Sequence, residues 1–287
     1  RGEMIPVATF VVMESKLPRA VTALLGGMCL GAAGALLQDH VRNPVASPDV
    51  LGVTSGAGLG AVVGAVVLDL RGPAVTGCAL AGAVVATALV VGLAGRGPRA
   101  STRLIVGGVA TAAACHALVQ WVLLRSSITG AHEALLWVTG SLGAATWDGI
   151  RWLALATLVL LPLAVTVGRV SEVTALGDDL AAGLGVDLRR TRAAVLVLVV
   201  LLVAAVCALT GPIAFVALLS GPIARRLLRG RPTVVAAALV GAITLVTADH
   251  VAAYALPGTN LPVGVVTGAI GAPFLIWLIT RRPTEVR

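Results

Sequence analysis

Long apolar stretches are the feature that most constrains this chain. A transmembrane helix needs about 20 mostly apolar residues, and somewhat fewer inside a bundle. Soluble domains average about 25% charged residues, whereas here 12% are charged and 58% are hydrophobic. We therefore predict an all-α, polytopic membrane helical bundle that forms a single transmembrane domain over residues 1–287. The nine predicted spans are Ala20–Leu37, Leu51–Leu68, Ala74–Leu93, Leu104–Leu124, Trp152–Val167, Ala193–Leu209, Ile213–Leu228, Val234–Ala255 and Val263–Thr280.

The basic residues predict how these spans are oriented. The net charge is +8, but the arginines cluster between apolar runs rather than on an aromatic-rich basic face, so we expect no nucleic-acid partner. If the spans alternate, 15 of the 21 basic residues fall on the side that holds the C-terminus. Cytoplasmic loops carry such an excess of arginine and lysine. We therefore expect an outside N-terminus, a cytoplasmic C-terminus and a tenth helix before residue 1.

Small residues at helical spacing predict close helix packing. Glycine recurs every fourth residue from Gly52 through Gly56 and Gly60 to Gly64, which places a smooth stripe on one helix face. Shorter stripes start at Gly27–Gly31 and Gly264–Gly268. The four cysteines stand singly in apolar surroundings, so we expect neither a metal site nor a disulfide.

Few ionisable residues lie inside the predicted spans. His116 is interpreted as a neutral core histidine, and Asp249–His250 as a buried polar pair. That pair has two interpretations: an interhelical hydrogen bond, which we favour, or the site of a proton-coupled secondary transporter. The sequence contains no GxxxxGK[ST], HExxH or GxSxG motif. We therefore expect no enzyme activity, and any ATP-driven function needs an ATPase partner.

One loop between predicted spans contains a short amphipathic pattern. Asp178 and Asp179 are favoured at the start of a helix, where they complement its dipole. Leu180 and Leu184 then share one face at i, i+4. Such a helix suits docking to a cytosolic protein or lying on the membrane surface.

Several motifs together resemble a known family. The segment Arg42-Asn43-Pro44-Val45-Ala46-Ser47-Pro48-Asp49-Val50-Leu51-Gly52 resembles the RNPLAxPxxLG signature of the iron–siderophore and vitamin B12 importer permeases, the membrane subunits of ABC transporters. The resemblance covers nearly the whole chain. Its further segments are Leu17-Pro18-Arg19, Trp137–Leu142, Leu176–Gly185, Gly211–Val216, Ile223–Arg226, Leu261–Gly264 and Gly271–Phe274.

The resemblance implies a site for each partner. It implies ten helices per subunit, a second permease subunit, a cytosolic ATPase dimer that binds ATP and Mg, and an external substrate-binding protein. It implies no cofactor in this chain, and a place in the bacterial cytoplasmic (inner) membrane. The implied ATPase-coupling residues are Leu176, Gly177, Asp178, Asp179, Leu180, Ala181, Leu184 and Gly185. Implied near the path are the fourth predicted span, Thr139, Gly140 and Ser141, and the last span; position alone suggests Arg71, Arg125 and Arg151 for docking the binding protein.

The wording of the motifs also suggests the cargo. It is closest to one half of a heterodimeric catecholate-siderophore permease, so we expect a ferric siderophore and a paralogous rather than identical second subunit. Import of haem or cobalamin is the alternative within the family, and an exporter or a membrane scaffold is the alternative outside it. The sequence departs from the family at Ser220-Gly221-Pro222, where Pro-His or Pro-Gln is usual, and a local gating contact is therefore in question.

Overall fold

The computed structural model describes residues 10–95, 100–126, 137–174, 177–229, 233–255 and 261–280. Within these ranges every regular element is helical. A π-helical turn, Val12–Lys16, leads into α1, a 3-10 turn, Pro48–Leu51, precedes α2, and a π-helical turn, Val63–Val67, extends α2. The helices are α1 Leu17–Val41, α2 Val53–Val62, α3 Pro73–Ala94, α4 Ala100–Arg125, α5 Trp147–Thr174, α6 Asp178–Gly183, α7 Leu188–Thr210, α8 Val216–Leu227, α9 Val234–Tyr254 and α10 Val263–Thr280.

Each of the nine predicted spans overlaps a helix, but the helices differ in length from the predicted spans. Among the described residues, six helices are long and apolar enough to cross a membrane. The stretches Val53–Val67 and Val263–Trp277 are shorter apolar helices, and α8 has only 12 residues. Pro222 lies inside α8 without breaking it. The chain is therefore a multi-pass membrane protein in which hydropathy located the helices more reliably than it predicted their lengths.

Helix α1 lies at the centre of the bundle because its surface is made of small residues. It packs against α5, α7, α8 and α9. A methyl group on Gly27 or Gly31 would collide with the backbone of α9, and one on Gly34 would collide with the backbone of α8. In the most apolar window of Val12–Val41, which contains α1, 72% of the window is buried. In the corresponding window of α5, 22% is buried. In lipid no hydrophobic effect drives the helices together. Van der Waals contacts between closely approaching backbones stabilise the bundle instead.

The glycine stripe of α2 faces α3. Gly56, Gly60 and Gly64 abut α3, which confirms the predicted intramolecular packing. Gly52 has a different role, since its φ of 72° caps the start of α2. The last predicted stripe is only half correct: Gly264 abuts Thr139, but Gly268 faces open space.

Long-range ion pairs show which helix ends share a side of the bundle. Arg19 at the start of α1 pairs with Asp249 near the end of α9, with Nε and Oδ1 2.6 Å apart. Asp39 at the end of α1 pairs with Arg225 near the end of α8. These contacts agree with the predicted alternation of spans. Which side is cytoplasmic stays a prediction.

Candidate functional site

A cavity of about 430 Å³ opens where five parts of the chain converge. The turn before α2 and α2 itself form one wall, and α4 forms another. The Trp137–Ser141 segment, the loop before α8 and the start of α10 complete it. The lining residues are Asp49, Thr54, Ser55, Gly58, Ala112, His116, Val119, Val138, Thr139, Pro212, Ala214, Gly264 and Val265. The fourth and last predicted spans and Thr139, which the resemblance places near a path, therefore meet at one cavity.

The Thr139–Ser141 segment is held in place by its backbone. Ser141 N donates to the carbonyl of Thr210 at the end of α7, 2.8 Å away, and Gly264 N donates to the carbonyl of Gly140. Gly140 has a φ of 71° and abuts the carbonyl of Pro212, so a side chain there would be strained and would collide. Thr139 lines the cavity, whereas Gly140 and Ser141 anchor the segment to its neighbours.

Two ionisable side chains lie among the lining residues. Asp49 accepts hydrogen bonds from Thr54 Oγ1 to its Oδ1 at 2.8 Å and from Ser47 Oγ to its Oδ2 at 2.9 Å. Burial raises the pKa of Asp49 above its ordinary value, and these two hydrogen bonds oppose that rise. His116 is exposed to the cavity, so its interpretation as a core histidine was wrong. The sequence of α4 alone could not show this, because residues that face a cavity and residues that face the core occur in the same apolar run.

Asp49 was missed as a candidate by the sequence reasoning. It stands inside the quoted signature, and the available signal was an acidic residue directly before the second predicted span, Leu51–Leu68. The signature residues themselves build the turn between α1 and α2. Arg42 ends α1 at a φ of 54°, Asn43 Oδ1 accepts from Val45 N at 3.0 Å, and Pro44 lies in the same turn.

The predicted amphipathic helix exists as α6. Leu180 and Leu184 are 62% and 67% exposed, whereas Ala181 between them is fully buried. Ala181, one of the implied ATPase-coupling residues, packs inward and holds the helix to the bundle. Gly177 and Gly185 bracket α6 with positive φ angles, and Asp179 is exposed. Leu176 lies outside the described residues.

Asp178 ties α6 to the bundle. Its Oδ2 is 2.6 Å from Arg192 Nη2 of α7, and its Oδ1 is 3.6 Å from Arg42 Nη2 at the end of α1. Arg42 Nη2 also donates to the carbonyl of Thr174 at the end of α5. The carboxylate thus faces the bundle, while the two leucines of α6 face outward.

The three arginines suggested for docking the binding protein lie near the helix ends opposite α6. Arg71 is exposed, Arg125 stacks over Trp121, and Arg151 pairs with Asp148 at 3.0 Å. Alternation of the helices puts all three on one side. Their role in docking the binding protein stays a prediction.

Asp249 and His250 do not form the expected pair. The partner of Asp249 is Arg19, and both side chains are largely buried, at 12% and 20% exposure. His250 is exposed and its ring lies 4.8 Å from that of Tyr254. A carboxylate neutralised by an arginine is a structural ion pair, which agrees with the interhelical role that the sequence favoured.

Comparison with known proteins agrees with this geometry. The chain is 39% identical over 272 residues to the ferric enterobactin transport system permease protein FepG of Escherichia coli (strain K12), covering 94% of this chain and 82% of that protein. It is 36% identical over 278 residues to the vitamin B12 import system permease protein BtuC of Serratia proteamaculans (strain 568), covering 96% and 83%.

A solved structure has the same fold. It is described as an inward-facing conformation of a metal-chelate type ABC transporter, and it superposes with a TM-score of 0.87 at 26% identity, covering 97% of this chain and 90% of that one. Residues 3–281 match the FecCD transport family. The motifs, the bundle and these matches lead to one assignment, and the chain belongs to the FecCD transport family.

Proposed function

We propose that this chain is the permease subunit of an ABC importer that takes up a ferric siderophore across the bacterial inner membrane. The observation that carries the proposal is α6, which is fixed to the bundle by Asp178 and Ala181 and presents Leu180 and Leu184 outward. Exposed leucines on a tethered helix fit a groove in a protein partner. In a FecCD family member, that partner is the cytosolic ATPase.

Energy for transport comes from the partner rather than from this chain. The sequence contains no GxxxxGK[ST] motif, so ATP and Mg²⁺ bind on the ATPase dimer. When that dimer closes, it displaces α6, which lies between α5 and α7 in the chain. The attached helices then rock, and the path opens to one side of the membrane and afterwards to the other.

The cavity forms this subunit's wall of the path. Its lining is mostly small or apolar, and the ionisable groups among the lining residues are Asp49 and His116. A large chelate slides along such a wall without being held tightly. A paralogous second subunit provides the opposite wall, and the external binding protein docks on the side of Arg71, Arg125 and Arg151.

The ferric siderophore is favoured over other cargo by two comparisons. FepG is named for ferric enterobactin, and the structural neighbour is described as a metal-chelate type transporter. BtuC, named for vitamin B12, is almost as similar. Cobalamin and haem are therefore the competing cargoes in any uptake assay.

The deciding experiment isolates the tagged chain from gently solubilised native membranes and identifies its partners by mass spectrometry. We expect a P-loop ATPase and a second permease. Reconstituted liposomes should then take up ferric siderophore, rather than cobalamin or haem, only when ATP is supplied. Replacing Leu180 and Leu184 by aspartate should reduce ATPase binding at least about a hundredfold, because each leucine buried in the groove contributes about 1.5–3 kcal/mol.

The matched control is Leu227→Asp with Leu228→Asp, which places the same charge on two other exposed leucines of the same side and should leave ATPase binding unchanged. Transport without ATP, lost in Asp249→Asn, would overturn the proposal in favour of a proton-coupled transporter. ATP-dependent uptake of cobalamin or haem alone would leave the importer and change its cargo.

A further inference from the structure

The last turn of α1 lies between α6 and α8 and is bonded to both. Arg42, at its end, reaches Asp178 at the start of α6. One turn earlier, Gln38 and Asp39 bind Arg225 of α8. Neither Asp178 nor Arg225 is close to α1 in sequence, so only the tertiary structure reveals this double attachment.

The attachment to α8 is dense and largely buried. Arg225 Nη1 is 2.9 Å from Asp39 Oδ1, and Arg225 Nη2 donates to Gln38 Oε1 at 2.7 Å. Gln38 is 2% exposed, and its Nε2 donates to the carbonyls of Leu218 and Ala46 at 3.0 and 3.2 Å. A buried side chain whose donors and acceptors are all paired resists displacement, because breaking any of its hydrogen bonds leaves a buried donor or acceptor without a partner.

Gly221 makes this approach possible. A methyl group at that position would collide with Gln38 Oε1. Gly221, in the Ser220-Gly221-Pro222 segment, therefore lets the side chain of Gln38 in α1 lie directly against α8.

Helix α8 leads from this contact to the cavity. Its twelve residues begin after Phe215, whose φ is 68°, and the residues just before it include Pro212 and Ala214 in the cavity wall. The ring of Phe215 lies against Gly271 of α10, where no methyl group would fit. Helix α8 is about 18 Å long. A shift at Arg225, near its end, therefore moves its other end, which adjoins the cavity wall.

We propose that the last turn of α1, Gln38–Arg42, is a relay that transmits movement of α6 through Arg225 and α8 to the cavity wall. The inference rests on the proposed function, in which the ATPase displaces α6. Arg42 and Arg225 are positioning residues: neither lines the cavity, and neither belongs to α6. Arg42 joins α1 to α6, and Arg225 joins α1 to α8.

The test measures cargo transported per ATP hydrolysed in the reconstituted importer. Arg42→Gln, which leaves the Asp178–Arg192 pair in place, and Arg225→Gln should each retain the bound ATPase and its basal hydrolysis. Transport per ATP should fall about tenfold in each, the size of a typical coupling energy between sites. The double variant should be no worse than either single variant, because both interrupt one relay. Arg225→Lys should retain more of the coupling than Arg225→Gln, because an ammonium group can still donate to Asp39 and to Gln38 Oε1.

Arg190→Gln is the matched control, since it breaks an exposed ion pair with Asp187 on the same side and should change nothing. Wild-type transport per ATP in both single variants would overturn the relay, and so would a double variant whose losses multiply. Loss of ATPase binding in Arg225→Gln would also overturn it, by making that residue part of docking. A wild-type chain that recruits no ATPase would instead contradict the proposed function.

Discussion

Asp49 is held between two hydroxyl groups at the turn that leads into α2. Both carboxylate oxygens accept a hydrogen bond, from Thr54 and from Ser47. Burial nevertheless raises its pKa above the ordinary value of 3.8. A carboxyl group whose pKa is raised in the folded protein stabilises the fold when protonated, and that contribution is lost as the pH rises through the folded pKa.

Asp49→Asn should therefore increase stability at neutral pH, because asparagine is uncharged and its amide can still bond to both hydroxyls. The gain should shrink as the pH is lowered and the wild-type carboxyl group becomes protonated. Thermal unfolding in detergent between pH 4 and pH 8 measures the difference between the two proteins. A difference that does not vary with pH would contradict this assignment.

His116 and Asp249 show the limit of sequence reasoning for single residues. The polarity of each was evident in its apolar run, and both were singled out. Their environments were not evident: His116 faces a cavity, and Asp249 pairs with Arg19, 230 positions away in sequence. Neighbours in sequence are poor guides to partners in a bundle, because successive residues of a helix face different directions.

At the scale of the helices, α1 is central because its glycines let the backbones of neighbouring helices approach closely. Gly31→Ala should destabilise the chain by about 1–3 kcal/mol, since the added methyl group would collide with the backbone of α9 at Ala237. Gly92→Ala is the matched control, because nothing lies within 4 Å of a methyl group there and alanine favours helix. Thermal unfolding in detergent compares the two. Equal stability of both variants would show that α1 and α9 separate easily.

Helix α6 was the most predictable functional element, and α8 the least. Paired aspartates, leucines at i, i+4 and flanking glycines specify α6 locally, and the structure has it at Asp178–Gly183. The predicted span Ile213–Leu228 is a shorter, continuous helix, Val216–Leu227. Its start is fixed by Phe215 packing against Gly271, which no local pattern contains.

At the scale of the whole molecule, the distribution of arginine predicts its orientation. Asp179→Cys should react with a membrane-impermeant thiol reagent only when the cytoplasmic side is accessible, and Arg71→Cys only from outside. Both substitutions are made in a Cys78→Ser background, which by itself is the control, because Cys78 is partly exposed whereas Cys29, Cys115 and Cys207 are buried. Labelling of Asp179→Cys in intact cells would reverse the predicted topology.

The sequence by itself determined that the chain is helical and spans a membrane, where its helices lie, and which family it resembles. These properties depend on local quantities: an apolar run forms a helix because its backbone must bond to itself in lipid. Only the tertiary structure decided which helices are central, where a cavity opens, and that the end of α1 joins α6 to α8. Those properties depend on contacts such as Arg225 with Asp39, which become possible only when glycines let distant helices approach.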